Sequence, residues 1–354
     1  MSLDMKAAVF RGPEDIDIET VKRPTIDEDS IIVKVEACGI CGSDIRNYHK
    51  GLRHGVKSQV MGHEIGGLVS EVGDHIKDED FKVGQKVAIA PDVSCGKCYY
   101  CEHGFVNLCT SHRMLGTHWP GGFAQFIKIP DIVLKRGMVH KMPDGISFEE
   151  ATLAEPLSSV ITSQKEAPVQ LGDTVLILGD GPIGCLHLEI ARARGAFNII
   201  MVGLNKLDLA KRFGPDLLID VAKKDPVEEV LKYTDGLGAD IAVCANPVAS
   251  TQEQAVRAVR KRGKVILFGG LAKDDPMTRL NSNLIHYNEL SIVGAFSYPA
   301  YMNKLALEVI KQRKITPEKY IDMVIPLEEI KKGFEAAEKG KALKVVIKPW
   351  LEKD

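Results

Sequence analysis

The sequence contains no run of 18 or more apolar residues, so nothing in it is long enough to cross a membrane as a helix. Charge of one sign is not in excess either: Lys and Arg number 46 against 48 Asp and Glu, for a formal net charge of −2. A surface for nucleic acid or anionic lipid is therefore not expected. The opening MSLDMKAAVF lacks a basic segment followed by an apolar run, so a cytoplasmic location is expected rather than secretion. Met5 is a second candidate start, with Met1-Ser2-Leu3 then an added leader. Repeats and low-complexity segments are absent, and hydrophobic and charged fractions of 45% and 27% are those of an ordinary folded protein. At about 150 residues per domain, a chain of 354 residues predicts two domains, each with room for a core. A small molecule is the default partner.

Cysteine is scarce beyond the first third. Of eight, six lie at Cys38, Cys41, Cys95, Cys98, Cys101 and Cys109, with only Cys185 and Cys244 later. Without a secretory signal, these read as metal ligands rather than a disulfide framework. Cys95-Gly-Lys-Cys98-Tyr-Tyr-Cys101 followed by Cys109 lets one loop wrap a tetrahedral ion at about 2.3 Å per sulfur. Zinc is the natural occupant, and four protein ligands leave no position for a substrate, so the site is read as structural. An iron–sulfur cluster is the rival. A nucleic-acid-binding zinc ribbon is the other, but no Lys/Arg cluster surrounds these cysteines. A second group, Cys41-Gly42-Ser43-Asp44 with Gly62-His63-Glu64, offers thiolate, imidazole and carboxylates. On residues alone it is equally a capped His–Glu pair, with Cys38-Gly-Ile-Cys41 open to a redox reading.

From about residue 173 to 294, apolar runs alternate with helical patterns, which predicts βαβ units on a doubly wound, six-stranded parallel sheet of the Rossmann type. The strands are Thr174 to Leu178, Asn198 to Val202, Leu217 to Asp220, Ala239 to Cys244, Lys264 to Phe268 and Ser291 to Ala295. Gly179-Asp-Gly181-Pro182-Ile183-Gly184 joins the first strand to a helix, the context in which such glycines admit a pyrophosphate. Asp180 reads as an exposed turn residue and Cys185 as core. The earlier half is mostly β: Met5 to Phe10, Ile31 to Cys38, Ile65 to Val72 and Lys86 to Ala90. The tail predicts helices over Tyr301 to Gln312 and Leu327 to Lys339 and a strand Leu343 to Ile347, completing the first domain. The expected division is 157–294 against 1–156 with 295–354.

ACGICGSD, GHEIGG, the four-cysteine loop, AEP at Ala154 to Pro156 and LGDGPIG, in this order, resemble the zinc-dependent medium-chain alcohol dehydrogenases, especially their polyol (sorbitol) and threonine dehydrogenase branches. The resemblance spans essentially the whole chain. It implies a GroES-like catalytic domain over 1–156 and 295–354, and two zinc ions, one structural and one catalytic. The catalytic ion would be held by Cys41, His63 and Glu155, with Glu64 an alternative or exchanging ligand. One thiolate, one imidazole and one carboxylate balance a divalent ion and leave a position open. Ser43 would pass the substrate proton outward and Asp44 would orient His63. Arg46 stands where many members have a relay histidine, and His49 is the nearest replacement.

The implied reaction moves a hydride between a secondary alcohol, polyol or sugar derivative and NAD(P). L-threonine 3-dehydrogenase and simple secondary-alcohol dehydrogenase are the alternatives, and Phe296-Ser-Tyr298 favours the polyol branch. Tyr48, His118 and Trp119 are candidate pocket residues. Gly179, Gly181, Pro182, Ile183 and Gly184 would bind the cofactor together with Gly203, Asn205 and Lys206. Gly203 stands where an NAD enzyme of this fold presents an acidic residue to the ribose. No carboxylate follows before Asp208, and Lys206 attracts phosphate, so NADP is favoured over NAD. A homodimer or homotetramer is the family's usual assembly.

Overall fold

The structure, a computed structural model, describes residues 3–52 and 55–352; Met1 and Ser2 of the candidate leader lie outside them. Two compact units are present, Met1–Ser158 with Tyr298–Asp354, and Ser159–Ser297.

The unit formed by Ser159–Ser297 carries six strands in the order Leu217–Asp220, Asn198–Gly203, Thr174–Leu178, Ala239–Cys244, Val259–Leu267 and Ser291–Gly294. Every pairing is parallel. The expected doubly wound six-stranded sheet is thus observed. Its central strand is apolar from Val175 and fully buried at Val175, Leu176, Ile177 and Leu178, as a sheet covered on both faces requires. The order reverses at this strand, whose neighbours are Asn198–Gly203 and Ala239–Cys244, and in such sheets ligands bind beyond the strand ends at the reversal. The helix Pro182–Arg194 leaves that end, burying Cys185, Leu186, Leu188, Ile190 and Ala191, and stops at left-handed Gly195. One strand begins earlier than expected, at Val259 rather than Lys264. Arg262 adopts φ 61° and Gly263 packs against the Arg260 carbonyl, so the polar Arg-Lys-Arg-Gly stretch enters the strand through an irregularity.

The other unit has a seven-stranded sheet running Val139–Lys141, Lys86–Ile89, Glu64–Val72, Ile31–Gly39, Lys344–Lys348 and Ile321–Pro326, with Phe126–Ile129 also on Ile31–Gly39. Ile31, Ile32, Val33, Val35, Ala37 and Cys38 are fully buried and form its spine. The tail strand pairs Val346 with Gly39 and Ile347 with Cys38, so the C-terminal segment completes this unit. Ile321–Pro326, with Asp322 interrupting its apolar pattern, was not legible; it lies parallel to the tail strand. The expected helix over Leu327 to Lys339 divides into a 3-10 turn, Leu327–Glu329, and a helix, Ile330–Glu338. Among the described residues, no helix is long and apolar enough to cross a membrane.

Candidate metal centres and dinucleotide loop

The four-cysteine loop has little regular structure: a one-turn helix Tyr99–Glu102 and a 3-10 turn Val106–Leu108. Its four sulfurs nevertheless all lie within 4.8 Å of one another. Cys98 Sγ is 3.5 Å from Cys101 Sγ and 3.9 Å from Cys109 Sγ, and Cys95 Sγ is 4.0 Å from Cys101 Sγ. Sulfurs at about 2.3 Å from one tetrahedral ion would stand about 3.8 Å apart, so the cage fits a single zinc and is too tight for a multi-iron cluster. Backbone N–H groups around Cys98, those of Cys101 and Thr110 first, bring its thiol down to about 6, favouring the thiolate that binds metal. Burial pushes Cys109 up to about 11. Arg136 braces the loop, donating from Nε to the Ser94 carbonyl at 3.0 Å and from Nη2 to that of Cys95 at 2.6 Å. Gly96, at φ 76°, makes room: a Cβ there would stand 2.1 Å from Arg136 Nη2.

The second group is assembled around the start of the helix Gly42–Lys50. Cys41 caps it, its N–H donating to Asp44 Oδ2 at 3.0 Å. The other Asp44 oxygen is 3.3 Å from His63 Nδ1, so one buried carboxylate fixes both the helix start and the imidazole. Ser43 Oγ lies 3.4 Å from His63 Nε2. Burial opposes a charged His63, but Asp44 and a hydrogen bond with Cys41 outweigh it and hold the ring well above its ordinary range. Glu155 stands in the first turn of the helix Ala154–Glu166. Desolvation pushes its carboxyl up to about 7, against the charge of His63 and with that of Glu64. Tyr298 Oη donates to Glu155 Oε1 at 3.2 Å. Thiolate, imidazole and carboxylate form a donor set suited to zinc. Among the described residues only the four cysteines form a group of metal-ligand atoms within 4.8 Å of one another; Cys41, His63 and Glu155 do not close to that distance.

Glu64 is differently engaged. Both its oxygens accept from Lys344 Nζ, at 2.7 and 2.6 Å, and both residues are buried. Gly39 opposite admits the pair, since a Cβ there would lie 2.0 Å from Glu64 Oε2. Sequence reasoning missed Lys344; a lysine inside the apolar strand LKVVI was the available signal. His49 is held by Glu14 and by Glu338, the latter 3.0 Å from its Nε2, and the contacts of its ring do not include Ser43. Tyr48 donates to the Glu14 carbonyl at 3.1 Å and packs on Phe334, His118 Nδ1 accepts from the Met114 N–H at 3.1 Å, and Trp119 lies beneath Arg113.

In the other unit, Gly179 adopts φ 139°, and a Cβ on Gly184 would meet the Gly179 carbonyl at 1.9 Å, the close strand–helix approach the glycines serve. Gly181 caps the helix, with Pro182 in its first turn and Ile183 following, leaving its N-terminal amides for an anion. Asp180 corrects the sequence reading. It is half-buried rather than exposed, and its Oδ2 accepts from the N–H groups of Leu204 at 2.8 Å and Lys206 at 2.7 Å, spanning Asn205.

A glycine cradle at the reversal of a parallel sheet, in a chain that also carries a saturated thiolate cage and a mixed-donor group, defines a metal- and dinucleotide-dependent oxidoreductase. Residues 27–144 match the alcohol dehydrogenase GroES-like domain and residues 182–312 the zinc-binding dehydrogenase domain. Sorbitol dehydrogenase of Bacillus subtilis (strain 168) is 35% identical over 361 residues, covering 98% of each chain. D-arabitol-phosphate dehydrogenase of Enterococcus avium is 31% identical, again over 98% of each. A Sinorhizobium meliloti 1021 protein described as a zinc-binding dehydrogenase, solved bound to NADP, superposes with a TM-score of 0.90 at 28% identity, covering 99% of this chain and 100% of that one. The chain belongs to the zinc-dependent medium-chain alcohol dehydrogenase family. It is a zinc-type oxidoreductase that uses a nicotinamide dinucleotide.

Proposed function

We propose that the chain interconverts a secondary hydroxyl of a polyol or sugar derivative and its ketone, with residues 1–156 and 295–354 catalytic and 157–294 holding the cofactor. The observation that carries this reading is the His63 ring set between Asp44 Oδ1, 3.3 Å from its Nδ1, and Ser43 Oγ, 3.4 Å from its Nε2, beside Cys41, whose N–H donates to the same Asp44 carboxylate at 3.0 Å. We take Cys41, His63 and Glu155 as the ligands of the catalytic zinc and Cys95, Cys98, Cys101 and Cys109 as those of a second, structural zinc. Zinc in the first site supplies a Lewis acid that favours ionisation of a bound hydroxyl. Asp44 holds His63 Nδ1, which leaves Nε2, beside Ser43 Oγ, as the nitrogen for the ion. Ser43 can accept and donate a proton at the same oxygen, which suits it to carry the hydroxyl proton away. Tyr298 orients Glu155. Glu64 acts through its charge rather than as a resident ligand, because Lys344 already engages both its oxygens.

Gly179, Gly181, Pro182, Ile183 and Gly184 cradle the pyrophosphate. Asn205 and Lys206 favour NADP over NAD, in keeping with the NADP held by the Sinorhizobium relative. A homodimer or homotetramer and a cytoplasmic location belong to the same reading. The test is a panel of polyols, sugar phosphates, simple secondary alcohols and threonine with each cofactor and zinc present. Highest kcat/KM on a polyol or its phosphate is expected. Turnover confined to threonine would overturn the polyol assignment.

A further inference from the structure

The end of the strand Asn198–Gly203 lacks a carboxylate in sequence and has one in space. Asp180 reaches across from the glycine loop. Its Cβ, Cγ and Oδ2 lie 2.4 to 2.5 Å from where a side chain at Gly203 would begin. Gly203 is not among the residues with positive φ, so space and not backbone strain demands glycine here. The carboxylate fills the volume that a residue at position 203 would fill. It also takes the N–H groups of Leu204 and Lys206, two converging backbone donors of the kind that hold anions.

We infer that Asp180 is a specificity-determining residue that disfavours a 2′-phosphate and so weights the site toward NAD; the inference rests on the nicotinamide-dinucleotide reading above. The acidic residue of this fold ordinarily stands at the end of the second strand, where it accepts from the adenosine ribose and repels the phosphate. Here the same charge arrives from the neighbouring loop, and it occupies two backbone amides at the end of the strand. Lys206 pulls the other way. The preference of the wild-type protein is the sum of the two, and Asp180 sets one term of it.

The experiment measures affinity without turnover: fluorescence titration of the zinc-loaded protein with NADH and NADPH, and competition by 5′-AMP and 2′,5′-ADP. Asp180→Asn keeps an oxygen for both N–H groups and removes the charge. It is expected to raise the NADPH-to-NADH affinity ratio about tenfold, with the same shift between 2′,5′-ADP and 5′-AMP. Asp180→Ser, which also lacks the charge, should move the ratio the same way and serves if the first variant folds poorly. In Asp180→Gly/Gly203→Asp the carboxylate returns to the strand end, and the ratio should fall back toward wild type. A ratio that stays within about twofold of wild type in both single variants, with both nucleotides bound, overturns the inference and leaves the dehydrogenase reading standing. Failure of the wild-type protein to bind either nucleotide overturns that reading and the inference together.

Discussion

The four-cysteine loop and the Cys41–His63 group, which we propose each hold a divalent ion, have opposite local physics. In the loop the donors come from one short segment and are chemically alike. Cys95, Cys98 and Cys101 are only partly buried, and backbone amides supply the stabilisation that brings Cys98 to about 6. In the second group the donors are chemically different and come from distant segments, and two of its charges are answered by other charges. Asp44 answers His63, and Lys344 answers Glu64. A saturated cage needs only closeness. A site that must leave a position open also needs its donors restrained by groups that do not bind the ion.

Separating the two groups by mutation gives the largest expected effect. Cys41→Ser should cut kcat by a thousandfold or more, on the order of what loss of a Lewis acid costs, while dinucleotide titration and the melting temperature stay near wild type. Cys98→Ser should do the reverse in kind. Its melting temperature should fall by on the order of 10 °C, with one zinc fewer per chain and turnover retained. If both variants lost stability equally, the distinction between the two groups would collapse.

The charge network offers a finer test. Lys344→Met strands a buried Glu64 carboxylate and should cost about 3 kcal/mol in denaturant unfolding. Lys344→Met/Glu64→Gln, which removes the charge as well, should recover most of that loss. Equal destabilisation of the single and double variants would show that Lys344 matters for packing rather than for Glu64.

The smallest effect compares two buried histidines. His63 has Asp44 behind it, whereas His187 is fully buried, receives Gln164 Nε2 at 3.1 Å on Nδ1, and has no partner on Nε2 among the described residues. Burial lowers His187 to about 3, so the unfolded chain takes up that proton near 6.5 while the fold refuses it. Above pH 6.5 the group is neutral in both states and contributes no slope. As pH falls from 6.5 toward 3, it removes stability at about 1.4 kcal/mol per unit. His187→Leu should flatten the acid limb of a stability-versus-pH curve in that window; an unchanged limb would contradict the assignment.

These contrasts also explain what was legible. The thiolate cage could be read because all its ligands fall between Cys95 and Cys109, where spacing alone dictates closeness. The parallel sheet could be read because strands covered on both faces become unbroken apolar runs such as TVLIL. The strands Asp15–Lys22 and Ile321–Pro326 could not, since their exposed faces admit polar residues at the positions that would signal a strand. Motif order pointed to Cys41, His63 and Glu155, but only the fold reveals that Lys344, 280 residues from Glu64, restrains the neighbouring carboxylate. The same holds for Asp180. Local sequence placed it in a turn, and its role depends on the absence of a side chain at Gly203.

The central claim, that the two groups hold one zinc each with separable duties, is tested most directly by metal analysis of wild type, Cys41→Ser and Cys98→Ser alongside the turnover of each. The account predicts two zinc ions per chain in the wild type and one in each variant, with turnover lost in Cys41→Ser and the remaining zinc of Cys98→Ser still supporting it. A fully active wild-type enzyme containing a single zinc per chain would contradict it.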